Sequence, residues 1–172
     1  MALWRRSGFA ADTWTNVADG ASVPDDGAII VSASRWLAER EALKARAALV
    51  GVRVEAAKTA PALFAEIADR PLIALAFAKF ADGRAFSYAR LLRERFKFAG
   101  ELRAVGDVLI DEIPFMLRCG FDSFEVVNPA TLSRLEQGAL PGPTIYYQPS
   151  AALEAAAAAS RSWLRRKALE EV

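Results

Sequence analysis

The polar residues best placed for chemistry follow apolar runs that are typical of buried strands. Ligands of open parallel sheets bind beyond the carboxyl ends of the strands, so these residues are expected to share one rim. Lys79 and Arg84 would neutralise an anion there. Ser87 and the N–H groups at helix starts would donate hydrogen bonds, and Asp107 would orient Arg84. The candidate ligand-binding rim consists of Lys79, Asp82, Gly83, Arg84, Ser87, Gly106, Asp107 and Asn128.

The absence of histidine excludes several kinds of catalytic site. The chain cannot form a Ser-His-Asp triad, a Cys-His dyad, a zinc site with histidine ligands or a histidine-ligated haem site. One cysteine cannot hold an iron–sulfur cluster. Neither Gly-x-Gly-x-x-Gly nor a Walker-type Gly-Lys-Ser/Thr occurs, so an ordinary dinucleotide site is not indicated. The residues assign no metal, no cofactor and no catalytic residue.

Two charged segments allow a structural and a functional interpretation. One is a basic helix with Arg84, Arg90, Arg93, Arg95 and Lys97. A solvated face with local ion pairs, such as Arg90 with Glu94, is favoured over capture of an oxyanion by arginine forks. The other is Asp111-Glu112. Adjacent residues on a helix do not face each other, so a surface role is favoured over an acid–base pair.

Cys119 lies just before Gly120, at a predicted helix C-terminus. That end of the helix dipole raises the pKa of a thiol, which disfavours reactivity. A buried structural cysteine is therefore favoured over peroxidase or persulfide chemistry.

Composition predicts a soluble globular protein of the cytoplasm. The chain has 172 residues, 53% of them hydrophobic and 25% charged, with a net charge of +1. The charge is too small to favour nucleic-acid binding, and no apolar run is long enough to span a membrane. No signal peptide is evident, and a single cysteine fits a reducing compartment.

Short apolar runs alternate with helical patterns along the chain. Strands are predicted at residues 13–17, 28–31, 52–55, 72–77, 102–105 and 124–127, with an edge strand at 145–147. Helices are predicted at 35–49 with Ser34 as N-cap, 61–68, 86–96, 109–119 and 129–136. Pro114 implies a kink in the fourth helix or a later start with Asp111 as N-cap.

This alternation predicts an α/β fold with a mostly parallel sheet of five or six strands. Helices on both faces, as in a Rossmann-like or flavodoxin-like three-layer sandwich, are expected first, and a partial (β/α) barrel is the alternative. We expect one domain over 1–172, with an irregular or hairpin segment at 1–27 and a C-terminal helix at 150–170. That helix could pack on its own domain or form a homo-oligomer.

Three segments resemble a bacterial family of unknown function that is described as oxidoreductases probably involved in sulfite reduction. They are residues 82–93, the run Gly-Glu-Leu-Arg-Ala-Val-Gly-Asp-Val at 100–108, and Arg-Cys-Gly-Phe-Asp at 118–122. The resemblance is strong in the middle third of the chain and loose before it. It implies a cytoplasmic role beside sulfite reductase in sulfur assimilation. Where the family pattern has Asp-Gln, this chain has Asp111-Glu112.

Three functional hypotheses follow. The first is an accessory protein of assimilatory sulfite reduction, or an oxidoreductase component of it, that binds a small oxyanion or the reductase at the rim. The second is a non-catalytic scaffold module that recruits a partner protein. The third is a non-redox enzyme that uses Asp82, Asp107 or Lys79 as acid or base.

Overall fold

The computed structural model describes residues 1–78 and 83–141, and the backbone of 145–146 and 166–167. Its strands are β1 (Ala2–Arg5), β2 (Gly8–Ala10), β3 (Trp14–Asn16), β4 (Ala28–Ser32), β5 (Val50–Glu55), β6 (Leu72–Phe77), β7 (Glu101–Gly106), β8 (Ser123–Val126), β9 (Ile145–Tyr146) and β10 (Arg166–Lys167). Its helices are α1 (Ala33–Ala45), α2 (Ala60–Ile67), α3 (Arg84–Glu94), α4 (Ile113–Cys119) and α5 (Pro129–Glu136).

Eight strands form one sheet in the order β2-β1-β8-β7-β6-β5-β4-β3. From β3 to β8, each strand pairs in parallel with the next one along the chain. The N-terminal hairpin of β1 and β2 extends the sheet, because β1 pairs antiparallel with β8. The prediction of an α/β fold with a mostly parallel sheet is confirmed, and the sheet is larger than the five or six strands expected.

Sequential strand order decides on which face the helices lie. Right-handed crossovers that all step in the same direction place every helix on the same face of the sheet. The main core accordingly contains the buried residues of all five helices together with one face of the strands. A second, smaller cluster on the opposite face contains strand residues alone. The sheet curls into a half-barrel, so the alternative architecture describes it, and the five helices among the described residues lie on one face.

Local capping chemistry sets the helix starts. The Ser32 hydroxyl accepts a hydrogen bond from the Arg35 N–H at 3.0 Å, so Ser32 and not Ser34 is the N-cap of α1. Pro114 lies in the first turn of α4, where its missing N–H costs no hydrogen bond, and Glu112 precedes that helix as N-cap. The later start of this helix is confirmed, with Glu112 in the place expected for Asp111.

A buried ion network joins the N-terminal hairpin to the parallel strands on the concave face. Arg103 is fully buried and donates to Glu101 Oε1 at 2.9 and 3.0 Å and to Asp12 Oδ2 at 2.8 Å. The Ser123 hydroxyl donates to the same Glu101 oxygen at 2.6 Å, and Arg5 donates to Oε2 at 2.7 Å. Both oxygens of Glu101 are thus used, which links β1, β7 and β8.

The predicted C-terminal helix at 150–170 lies largely outside the described residues. Within its range, Arg166–Lys167 form β10, which pairs antiparallel with β9. A strand does form within the predicted edge strand at 145–147, namely β9, but it pairs with β10 in a separate two-stranded sheet and not at the edge of the main sheet. Among the residues that the structure describes, no helix is long and apolar enough to cross a membrane.

We expect Gly106→Ala to destabilise the protein more than Gly138→Ala. Both glycines have a positive φ, +92° and +68°, which costs a residue with a Cβ about 1 kcal/mol. At Gly106 the added Cβ would also lie 2.5 Å from the Phe77 carbonyl oxygen, whereas nothing lies within 4 Å at Gly138. Urea unfolding of both variants measures the difference. Equal losses of unfolding free energy would contradict the close approach of β6 and β7.

Candidate functional site

An open cleft lies at the carboxyl ends of β3, β4 and β5. Its volume is about 860 Å³. The ends of these strands and the first turns of α1 and α2 border it. A parallel half-barrel places such a cleft where its strands end and its helices begin, which is the usual ligand-binding position of α/β folds.

One wall of the cleft is the loop after β3, and Arg35 holds it in place. The buried guanidinium of Arg35 donates to the Ala18 oxygen at 2.8 Å, the Ala21 oxygen at 2.7 Å and Glu39 at 3.2 Å. The Ser32 hydroxyl donates to Asp19 at 2.6 Å. Arg35 follows a strand end, where the sequence favours a ligand contact, but its donors are used to position this wall.

The floor of the cleft carries an ion pair between Arg53 and Glu55. Residues two apart on a strand point to the same face, and here Arg53 Nε donates to Glu55 Oε1 at 3.1 Å. Their partners on β6 are Ala74 and Ala76, whose small side chains leave space beside the pair. Both charged side chains are about half exposed, so they are accessible from the cleft.

The candidate rim lies further along the same edge of the sheet, at the ends of β6, β7 and β8. Gly83 is the N-cap of α3, and Arg84 and Ser87 are exposed in the first turns of that helix. Lys79 and Asp82 lie outside the described residues. Their place beside Arg84 therefore stays a prediction.

The other described residues of the rim are Gly106, Asp107 and Asn128, and the backbone or side chain of each has a structural partner or is exposed. Gly106 ends β7 in a left-handed conformation, and the next N–H, that of Asp107, donates to the Phe77 oxygen at 2.8 Å. The Asp107 side chain is exposed. The Asn128 side chain caps α5, because its oxygen accepts from the N–H groups of Ala130 and Thr131 at 2.9 and 3.1 Å.

The sequence analysis did not identify Arg53 and Glu55 as candidate site residues. The signal that could have found them is the alternation Val52-Arg53-Val54-Glu55, which predicts one apolar and one charged face of a strand. The charged face becomes a site only because the sheet curls and leaves it open at this end.

A family model described as a bacterial protein of unknown function (DUF934) matches residues 51–157. The chain belongs to the DUF934 family. No curated protein and no solved structure matches this DUF934 protein. The matched range begins in β5 and includes Arg53, Glu55 and the candidate rim, whereas the wall built from β3 and β4 lies before it.

Two arginines of the basic helix α3 of this DUF934 protein, Arg90 and Arg93, have structural partners. Arg90 pairs with Glu94 at 3.0 Å, as predicted for a solvated face. The side chain of Arg93 is largely buried. It donates to the carbonyl oxygens of Phe98, Gly100 and Gly120 and to Asp122. It therefore fastens the loops that precede β7 and β8 and is not available for an oxyanion.

Cys119 of the DUF934 protein is buried at the end of α4, as predicted. Burial raises the pKa of its thiol to about 11, although Arg90 and Arg118 lower it in part. The thiol is thus protonated at neutral pH and has little nucleophilic character.

Glu112 is the one carboxylate near the rim whose pKa is raised above its ordinary value, 4.5, among those in the described part of the chain. Burial is the main cause, and the negative charges of Asp111 and Asp107 add to it. Its Oε2 is buried without a hydrogen-bond partner. No group of acidic and cysteine side chains within residues 1–78 and 83–141 is arranged to hold a metal ion.

We expect Arg35→Lys to loosen the cleft wall of the DUF934 protein. One ammonium group cannot reproduce the guanidinium fork that reaches two carbonyl oxygens and Glu39, so the unfolding free energy should fall by about 2 kcal/mol. Hydrogen exchange should also speed up at residues 17–21. Arg40→Lys, at an exposed site on the same helix, is the control and should cost about 0.5 kcal/mol or less. Equal effects would show that Arg35 does not hold the wall.

We expect Glu112→Gln to stabilise the DUF934 protein at neutral pH and not in acid. A carboxyl whose pKa is raised by folding stabilises the fold below its ordinary pKa and loses that contribution as the pH rises through the raised value. Glutamine stays neutral at every pH. The unfolding free energy of the variant, relative to that of the wild type, should therefore increase between about pH 4 and about pH 7. Urea unfolding at both values measures this, with Glu136→Gln as the surface control. A difference independent of pH would contradict it.

Proposed function

We propose that this protein is an accessory protein of assimilatory sulfite reduction that binds a small oxyanion at the carboxyl-terminal edge of its parallel sheet. The observation that carries anion binding is the start of α3 after the end of β6, where Arg84 and Ser87 are exposed. Ligands of open parallel sheets bind at this edge, beyond the carboxyl ends of the strands.

Positive charge along the edge supports an anionic ligand. Arg84 is exposed at the start of α3, after the end of β6, whereas the charge of Arg53 in the cleft floor is balanced by Glu55. The N-termini of α1 and α2 border the cleft near Ser34 and Thr59, and helix N-termini favour negative charge. Ser87 adds a hydroxyl donor on the exposed first turns of α3.

The link to sulfite rests on the resemblance of residues 82–93, 100–108 and 118–122. All three segments lie inside the range that the family model matches. A cytoplasmic location and sulfite reductase as a partner belong to the same proposal. An oxidoreductase role would further need a flavin, a nicotinamide or the partner's cluster to supply electrons, because the chain offers no histidine and one buried cysteine.

A second candidate function is recruitment of a partner protein without catalysis. Phe115 on α4 favours it, since this ring is 47% exposed and stacks on Phe86 of α3 with 4.9 Å between ring centres. Exposed aromatic side chains are enriched at protein interfaces. The acid–base alternative has less support, since Asp107 is exposed and Lys79 and Asp82 lie outside the described residues.

We expect Arg84→Ala to abolish sulfite binding without unfolding the protein. Arg84 is exposed, so its removal should leave the melting temperature nearly unchanged. Titration calorimetry with sulfite and sulfate measures the affinity. Arg90→Ala, on the exposed side of the same helix, is the matched control and should bind as the wild type does.

Unchanged sulfite affinity in Arg84→Ala would overturn this role of the rim. Co-purification with sulfite reductase, tested with the wild type and with Phe115→Ala, separates the two candidate functions. Capture of the reductase without anion binding, and its loss in Phe115→Ala, would favour the recruitment module over the oxyanion site.

A further inference from the structure

We propose that the cleft at the ends of β3, β4 and β5 binds a nucleoside phosphate, with the phosphate on Arg53 and ribose hydroxyls on Glu55. This deepens the proposed function and rests on its ligand-binding edge, but not on its link to sulfite. The residues that carry it are not those of the candidate rim.

The size of the cleft exceeds what an inorganic oxyanion can fill. A water molecule takes about 30 Å³ in the liquid, and sulfite has four heavy atoms. The cleft offers about 860 Å³. Sulfite alone would leave most of it to solvent, whereas an organic ligand with a ring, a sugar and a charged group matches the usual range for such pockets.

Arg53 presents an unused pair of donors to the cleft. Its Nε is engaged with Glu55 at 3.1 Å, and neither terminal nitrogen donates to any residue in the described part of the chain. Two parallel N–H donors of a guanidinium match two oxygens of a phosphate. The side chain is half exposed and needs no rearrangement of the protein to accept such a group.

Glu55 selects against a bare anion and for a ligand that also carries hydroxyl groups. Its Oε1 accepts from Arg53, and its Oε2 accepts from no described residue. A carboxylate so close to the guanidinium weakens the attraction for a simple anion, because the pair is neutral overall. A ribose hydroxyl that donates to the carboxylate turns the same group into an attractive contact.

The remaining lining of the cleft combines apolar side chains with two carboxylates, Asp19 and Glu66, which accept from Ser32 and Arg40 respectively. Leu37 is 52% exposed and lines the cleft together with Leu63, Val17 and Ile30. Contact between an exposed leucine and an aromatic ring of the ligand stabilises the complex, because it removes apolar surface of both groups from water. A nucleobase supplies that ring. Since the chain lacks a glycine-rich phosphate loop, the arginine fork and not a backbone cradle holds the phosphate.

Titration calorimetry with adenosine monophosphate, adenosine and inorganic phosphate tests the proposal. We expect the nucleotide to bind at least tenfold more tightly than either part alone. Arg53→Ala should weaken nucleotide binding at least tenfold and leave adenosine unaffected. Glu55→Gln should weaken the binding of adenosine, through the lost charge at the ribose contact, and strengthen the binding of inorganic phosphate to Arg53. Lys58→Ala, which removes a neighbouring exposed cation outside the cleft, is the matched control and should change nothing.

Two further variants separate binding chemistry from charge and folding. Arg53→Lys keeps the charge without the fork and should lose part of the affinity. The double variant R53A/E55A leaves the net charge unchanged and should still lose nucleotide binding. All variants should melt within a few degrees of the wild type, because exposed ion pairs contribute about 1 kcal/mol or less.

Three results would overturn the proposal: no binding of the nucleotide, equal affinity for inorganic phosphate, or nucleotide binding indifferent to Arg53→Ala. The sulfite titration with Arg84→Ala is read separately. Nucleotide binding without sulfite binding would refute the oxyanion role and keep the cleft assignment. Sulfite binding without nucleotide binding would refute the cleft assignment and keep the oxyanion role.

Discussion

The buried charge of Arg103 is the constraint on which the concave side of the sheet depends. A guanidinium without access to water must be neutralised where it lies, and Glu101 and Asp12 do this at 2.8–3.0 Å. Glu101 in turn gathers Ser123 and Arg5, so β1 cannot leave β8 without exposing part of the network. Removal of one partner from a buried ion network typically costs about 3–5 kcal/mol. The antiparallel hairpin is thereby held at one edge of the sheet, and the open edge is left at β3.

The charged side chains at the two ends of the parallel strands differ in their exposure to water. The Arg103 network occupies the half where β7 and β8 begin, and the guanidinium of Arg103 is fully buried there with all three nitrogens hydrogen-bonded. The charged pair on β5 lies where the strands end, and it is half exposed with donors and acceptors unused. In parallel barrels the first end serves stability and the second serves ligands, because loops and helix starts meet only at the second. The cleft follows this division, and its position comes from the curl of the sheet rather than from any one residue.

The arginines discussed above occupy two kinds of position. Arg35 and Arg93 are largely buried and hold loops by their backbone carbonyl oxygens, each of them reaching segments far away along the chain. Arg46 does the same for the oxygens of residues 24, 26 and 27. Arg53 and Arg84 instead lie exposed at the strand-end edge. Residue type and spacing do not separate these roles, since a guanidinium suits carbonyl oxygens and oxyanions equally well.

The sequence by itself determined most of the elements. The runs at 72–77 and 129–136 became β6 and α5 at the predicted bounds, because apolar periodicity and Asn128-Pro129 capping are local signals. It also determined that Cys119 is buried and that several rim residues follow strand ends. Strand order, the single helical face, the hairpin beside β8 and the Arg53–Glu55 cleft were decided by tertiary structure. These features depend on which strands pair and how the sheet curls, and pairing between distant segments leaves no mark on the periodicity of either segment.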